Sequence, residues 1–379
     1  MRTGVPEFVG ERLAEARAAR GISSRKALAD MLDKAPSTVS RWELGELQPE
    51  PAALQQMASI LNLPVSYFLA MPIRRRSATF FRSLQATLKT QRSMQQVQLS
   101  WLMDLTTTLE EFAILPEVVL PLDLVDGGFL SLRDEDIEGA ANQLREAWGL
   151  GLKPIPNVLR CIEDAGIVVA SDLMETTKLD GLSAWDETAG RPFMLLATDK
   201  QSFARRQFDA AHELGHLVLH RGVTEEELER HFRLIEDQAN RFAAAFLLPA
   251  DQYPLEVSEI GLWALERLKA RWKISMKAQI VRLNQLSLIG EEQAQRLYKA
   301  YNARGFAKGE PMDDQWALQE PTLLSDVIHA IVDEGGTSKA ELLDHFTLGA
   351  SDVERLARLP RGWLAHEAAR VIQLKDFRR

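Results

Sequence analysis

Residues 209–220 read DAAHELGHLVLH, and three of the chain's seven histidines fall there at intervals of four. On an α-helix that interval brings His212 and His216 to one face, a turn apart. Two imidazole nitrogens so placed can grip a single zinc ion at about 2.0–2.1 Å. Glu213 follows His212 directly and cannot share the histidines' direction fully. That suits a group which reaches the water beside a metal and leaves the metal alone. The pattern is H-E-x-x-H, a zinc pair carrying its own general base.

A zinc ion with a position open for water takes a third protein ligand. The metzincin arrangement would put a histidine ten residues after His212, but that residue is Gly222. A better candidate lies 20 residues beyond His216, in IEDQANRFAAAFLLP (235–249). Ile235, Ala239, Phe242, Ala243, Phe246 and Leu247 recur there as on a buried helix. Glu236 and Asn240 stand four apart on one side of it, and polar residues on a core-like helix call for a buried polar partner. Zinc bound by Glu236, with Asn240 supporting a histidine ligand from behind, supplies one. His220 continues the spacing, but the stripe has drifted by about 40° there, and it is expected to meet the helix C-terminus as a cation. His231, in the charged run ERHFRLIED (229–237), is expected at the surface.

The pair AHELGH and EDQANRFAAAFLLP, with DGLSAW and GRPFMLLA upstream, resembles the ImmA/IrrE family of metallopeptidases. The likeness covers residues 150–260 closely. It implies peptide-bond hydrolysis with Zn2+ held by His212, His216 and Glu236, and Glu213 as the catalytic residue. Proteins of that family stand beside, or are fused to, phage-repressor-type domains. By likeness to other zincins, the strand FMLLA is expected to be an edge on which a substrate backbone pairs.

From Phe8 to Leu69 apolar residues recur at helical spacing between short turns. Ser24 is placed to cap KALADMLD, Pro36 fits the first turn of PSTVSRWELG, and Gly45 closes that helix. Two short helices about a tight turn, inside a small bundle, follow the helix-turn-helix plan. The run RKALADMLDKAPSTVSRWELGELQPEPAALQQMASILNLPVSYFL (25–69) resembles the phage-repressor (Cro/CI, or XRE) family of DNA-binding domains. The resemblance implies that Ser37, Thr38 and Arg41 face the major groove of double-stranded DNA and that Arg25 reaches a phosphate. Arg41 suits guanine best, since its fork can hold O6 and N7 together. Val39 and Trp42 are expected to point into the core. Ala35 stands where a hydroxyl normally caps the recognition helix, a loss of roughly 1 kcal/mol. A helical bundle used for protein contact stays open as the other reading. The run RRR at 74–76 is either a solvated stretch or a further phosphate contact.

A chain of 379 residues suggests two or three domains, and 46% apolar composition is ample for packed cores. The single cysteine, Cys161, excludes an internal disulfide and a cysteine-rich zinc site, which fits a reducing cytoplasm. The start, MRTGVPEF, shows no signal-peptide pattern, and no run of 18 apolar residues suggests a membrane span. The net charge of −9 hides an asymmetry: residues 1–100 carry 14 Lys+Arg against 8 Asp+Glu, and the remainder 31 against 46. A basic head on an acidic body fits nucleic-acid contact through the N-terminus alone. Residues 80–115 hold almost no turn formers, and Leu84, Leu88, Val97, Trp101, Leu105 and Leu109 form an imperfect helical stripe. The stripe is a dimer seam or a packing face, and a homodimer is the expected use, since repressors of this type read two half-sites.

The expected fold is mainly α with a small β-sheet. An all-α XRE-type helix-turn-helix bundle (8–70) joins, through a helical linker or dimer helix (71–116), an α+β zincin-like ImmA/IrrE-type metallopeptidase domain (117–260) and a helical C-terminal region (261–379). The expected function is a cytoplasmic, DNA-binding regulatory zinc metallopeptidase whose protein substrate is a repressor, in control of stress, prophage or mobile-element genes. The alternative is an XRE-type transcriptional regulator that does not cut, with a structural or sensory zinc domain.

Overall fold

A computed structural model describes residues 4–73, 80–81, 89–121, 128–172, 180–198 and 202–365. Arg74, Arg75 and Arg76, and Leu84 and Leu88 of the apolar stripe, lie outside the described residues. The chain divides into two units: Met1–Ile73, Ser100–Ile114 and Thr322–Arg379 form the first, and Arg74–Leu99 with Leu115–Pro321 the second.

In the first unit, α1 (Gly10–Ala19), α2 (Arg25–Leu32), α3 (Pro36–Glu43) and α4 (Pro51–Leu61) pack around Leu13, Leu28, Val39, Trp42, Met57 and Phe68. Ser24 Oγ accepts the Ala27 amide at 3.1 Å and starts α2. α3 starts at Pro36 behind Ala35, which offers no side-chain cap. Helix α5 (Lys89–Leu109) contributes its second half to this unit. Its Trp101, Leu105 and Leu109 are buried there, and the Trp101 indole N–H donates to the Tyr67 hydroxyl at 3.1 Å with the rings edge to face. Trp101, Leu105 and Leu109 therefore serve as a packing face within one chain, the other of the two uses expected for the stripe. Trp101→Ala removes a fully buried ring and strands the Tyr67 contact, so it should destabilise this unit by about 3–5 kcal/mol, read as a shift in the urea midpoint.

The second unit holds β1 (Phe80–Phe81), α6 (Asp134–Ala147), α7 (Val158–Asp164), β2 (Val168–Asp172), β3 (Gly181–Asp186) and β4 (Arg191–Ala197). It continues with α8 (Phe203–Leu219), α9 (Glu225–Leu247), α10 (Tyr253–Glu256), α11 (Leu262–Trp272), α12 (Met276–Gln285) and α13 (Glu291–Ala303). The sheet order is β1-β3-β4-β2. β4 runs parallel to β2, with Val168 beside Phe193, and antiparallel to β3, with Ser183 beside Met194. FMLLA thus has a neighbour on each side, which corrects its reading as a free edge. A continuous apolar run is what a strand flanked and covered on both faces carries. The outer side of β3 pairs antiparallel with β1, Phe80 opposite Ser183 and Phe81 opposite Leu182.

Against this sheet lies α8, started by Ser202, and on α8 packs α9, started by a Thr224–Glu227 capping box and bent at His231 (φ −114°, ψ 21°). Leu265, Leu268, Trp272, Ile280 and Leu283 from α11 and α12 complete the same core. The chain then returns to the first unit as α14 (Leu323–Asp333), α15 (Lys339–His345) and α16 (Ala350–Leu356). There the Arg20 guanidinium forks onto the buried Asp352 carboxylate at 2.8 and 2.7 Å, and the Asn62 amide donates to Ser351 Oγ at 3.0 Å. Residues 261–379 are therefore two pieces, one in each unit. Among the described residues no helix is long and apolar enough to cross a membrane.

Candidate metal centre and nucleic-acid interface

His212, Glu213 and His216 leave α8 into the interior, each no more than 2% exposed. The two imidazole Nε2 atoms stand 3.1 Å apart. From α9, Glu236 brings Oε2 to 3.5 Å from His212 Nε2 and Oε1 to 3.3 Å from His216 Nε2. A tetrahedral ion with ligands at about 2.05 Å separates its donor atoms by about 3.3 Å, which is the spacing found. Glu236 Oε1 is buried and makes no hydrogen bond among the described residues. The donor set and its separation fit a zinc-like ion, and among the described residues these three are the ones that can hold it. Burial by itself disfavours the charged Glu236, but the facing imidazoles outweigh it and keep the carboxyl well below its usual range.

Behind the donors stands a second layer of polar groups. His212 Nδ1 lies 3.1 Å from Asn240 Oδ1. His216 Nδ1 lies 3.1 Å from His220 Nδ1, and His220 Nε2 lies 3.0 Å from Gln238 Oε1. The Gln238 amide N–H donates to the Phe129 carbonyl at 2.7 Å. His220 is 1% exposed, and burial drives its pKa down to about 3. It is neutral, which corrects its expected role as a cation at the helix end. His231 is half-buried at the bend of α9, edge-on to Phe129 at 5.7 Å, and takes no part in the donor cluster.

Glu213 is not a member of this donor cluster, but His212 and Glu236 are near enough to act on its charge. Glu213 Oε2 accepts the Ser183 hydroxyl at 2.7 Å, and burial pushes the Glu213 pKa up to about 7. A carboxylate tuned to neutrality can both take and return a proton. Gly181 makes room for it, since a Cβ there would stand 3.0 Å from Glu213 Oε1. Neither Ser183 nor Gly181 was singled out in the sequence, although both lie in the DGLSAW run of the family likeness.

The glycine of HELGH has its own reason. A Cβ on Gly215 would meet Phe242 Cδ1 at 3.1 Å and the Ala239 carbonyl at 3.2 Å, so this residue sets how closely α8 approaches α9. Gly215→Leu should drive the helices apart and separate Glu236 from the histidine pair. The expected result is a loss of zinc affinity of at least ten-fold, by analogy with supporting-shell losses, measured by competition with a chromophoric chelator.

In the N-terminal bundle, Ser37 and Arg41 are exposed on α3, Thr38 is half-buried, and Val39 and Trp42 face the core. Arg25 is placed differently from a free phosphate anchor. Its Nε donates to Glu43 Oε2 at 2.6 Å, and Glu43 also takes Arg17 Nε at 2.6 Å. A phosphate would meet only the Nη end of Arg25.

Residues 13–68 match the family model described as helix-turn-helix, and residues 162–284 match the peptidase-family model described as the IrrE N-terminal-like domain. The second match runs past residue 260 and takes in α11 and most of α12. No curated protein matches the chain. The chain joins an XRE-type helix-turn-helix domain to an IrrE-like domain in that order, the composition of a DNA-binding regulatory fusion.

Proposed function

We propose that this chain is a DNA-binding zinc endopeptidase that cuts a repressor-type regulatory protein in the cytoplasm, in control of stress, prophage or mobile-element genes. The observation that carries the reading is one arrangement: three buried donors converge at tetrahedral spacing, and a carboxyl tuned to about 7 stands beside them. His212, His216 and Glu236 would hold the zinc ion. When bound, zinc supplies Lewis acidity toward a scissile carbonyl and makes water a better nucleophile near neutral pH.

The chain's own residues do the rest. Glu213 takes the proton of the attacking water and returns it to the leaving amine. The Ser183 hydroxyl fixes Oε2, which leaves Oε1, beside Gly181, as the atom that handles the proton. Asn240 turns the His212 ring so that Nε2 faces inward. In the N-terminal bundle, Ser37, Thr38 and Arg41 would read the operator in the major groove, with Arg25 on the backbone.

One observation favours a second reading, a transcriptional regulator that does not cut. The outer side of β3, where an extended peptide would add as a strand, is paired at Leu182 and Ser183 with β1 from the same chain. The test compares new protein N-termini in cells expressing wild type and Glu213→Gln while the inducing stress is varied. A new terminus inside a repressor, present only with Glu213, supports the peptidase and names its substrate. Unchanged termini and regulation, with regulation lost in Arg41→Ala, support the regulator.

A further inference from the structure

The polar groups behind His216 form a chain whose direction is set at one end. The Phe129 carbonyl can only accept, so the Gln238 amide must turn its NH2 toward it and its oxygen toward His220. Gln238 Oε1 can in turn only accept, which places a proton on His220 Nε2. His220 is 1% exposed, and a second proton there would bury a positive charge between Gln238, His216 and the Phe129 ring. Its Nδ1 therefore carries a lone pair. That lone pair faces His216 Nδ1 at 3.1 Å, so His216 must be the donor there. The consequence falls on the far side of the His216 ring: Nε2 is left bare, and it is the nitrogen that faces His212 and Glu236.

We propose that His220 and Gln238 are positioning residues of the metal centre, which fix His216 in its Nδ1–H tautomer before any ion arrives. The inference rests on the reading of His212, His216 and Glu236 as ligands. The polarity starts from the main chain of the short turn Phe129–Ser131, whose Phe129 is anchored in a small apolar cluster with Val223, Leu228 and Ile235. His212 receives the same service from Asn240 through a single bond. The two ligand imidazoles are thus oriented by separate devices, one of one member and one of three. A ligand held in one tautomer spares the ion the cost of selecting it, which is how outer partners raise metal affinity.

The experiment uses the full chain, with Zn2+ as the probe. Zinc affinity is measured by chelator competition for wild type, Gln238→Leu and His220→Phe. The His216 tautomer is read in the metal-free proteins by long-range 1H–15N NMR. The expected result is a single Nδ1–H tautomer for wild-type His216, a mixture in Gln238→Leu, and zinc affinity lowered about 10–100-fold in both variants. Equal affinity for all three, or a wild-type His216 that carries its proton on Nε2, overturns the proposal. If wild type shows the Nδ1–H tautomer but binds no zinc, the ligand reading fails and the polarity of the chain stands. If a variant does not fold, the wild-type tautomer still decides.

Discussion

Glu213→Gln is expected to lower peptide cleavage about 10²–10⁴-fold, the usual contribution of a positioned general base, while zinc binds as in wild type. Glutamine keeps the shape and can still accept the Ser183 hydroxyl, but it cannot take a proton from water. The three donors are themselves unchanged by the substitution. Hydrolysis of a labelled substrate and zinc titration on the same preparations test both halves. Cleavage that survives, or zinc that is lost with it, would remove Glu213 from the role of base. The same variant carries a pH signature in the presence of a chelator. A carboxyl raised to about 7 by burial prefers its protonated form in the fold. Its ionisation costs stability from its unfolded pKa of about 4.3 upward, and that cost stops growing once the pH has passed about 7. Glutamine never ionises, so its stability advantage over wild type should grow by about 2.5 kcal/mol between pH 5 and pH 8. A difference in melting temperature that stays flat over this range would mean the buried carboxyl is not held protonated.

The parts of this site that were legible in the sequence share one property: a fixed spacing along a single helix. His212 and His216 on α8, and Glu236 and Asn240 on α9, are each four apart, and a helix alone puts such pairs on one face. Gln238 was not legible because it lies two residues from Glu236, about 200° around the same helix. His220 was misread because the drift estimate assumed that the helix continues. The chain leaves helical angles at His220 itself (φ −124°) and the ring turns back toward His216. Gly181 and Ser183 come to Glu213 through the packing of β3 on α8, which no local pattern reports. Periodicity likewise identified the face of α5 without its partner: Trp101 meets Tyr67. The Arg20–Asp352 pair joins residues 332 apart, so the split of the C-terminal region could not be seen from its helices alone.

Arg41→Ala should weaken operator binding by about 1–3 kcal/mol and relax specificity at a single base pair. Arg41 is exposed on α3 while Val39 and Trp42 on the opposite side hold the core, so truncation there leaves the bundle intact. Arg25 makes a poorer probe. Its Nε satisfies a Glu43 carboxylate that is 6% exposed, so Arg25→Ala would cost stability as well as any phosphate contact. The measurement is binding to a duplex selected from random sequence and to a scrambled one, each at two salt concentrations. A loss confined to the selected duplex, with the salt slope kept, makes Arg41 a base reader. An equal loss on both, with the slope reduced by about one, moves it to the phosphate backbone. If wild type selects no duplex, the exposed face of α3 belongs to a protein partner. Repression would then have to be exerted through that partner, and the IrrE-like domain would act on a complex rather than on a DNA-bound neighbour.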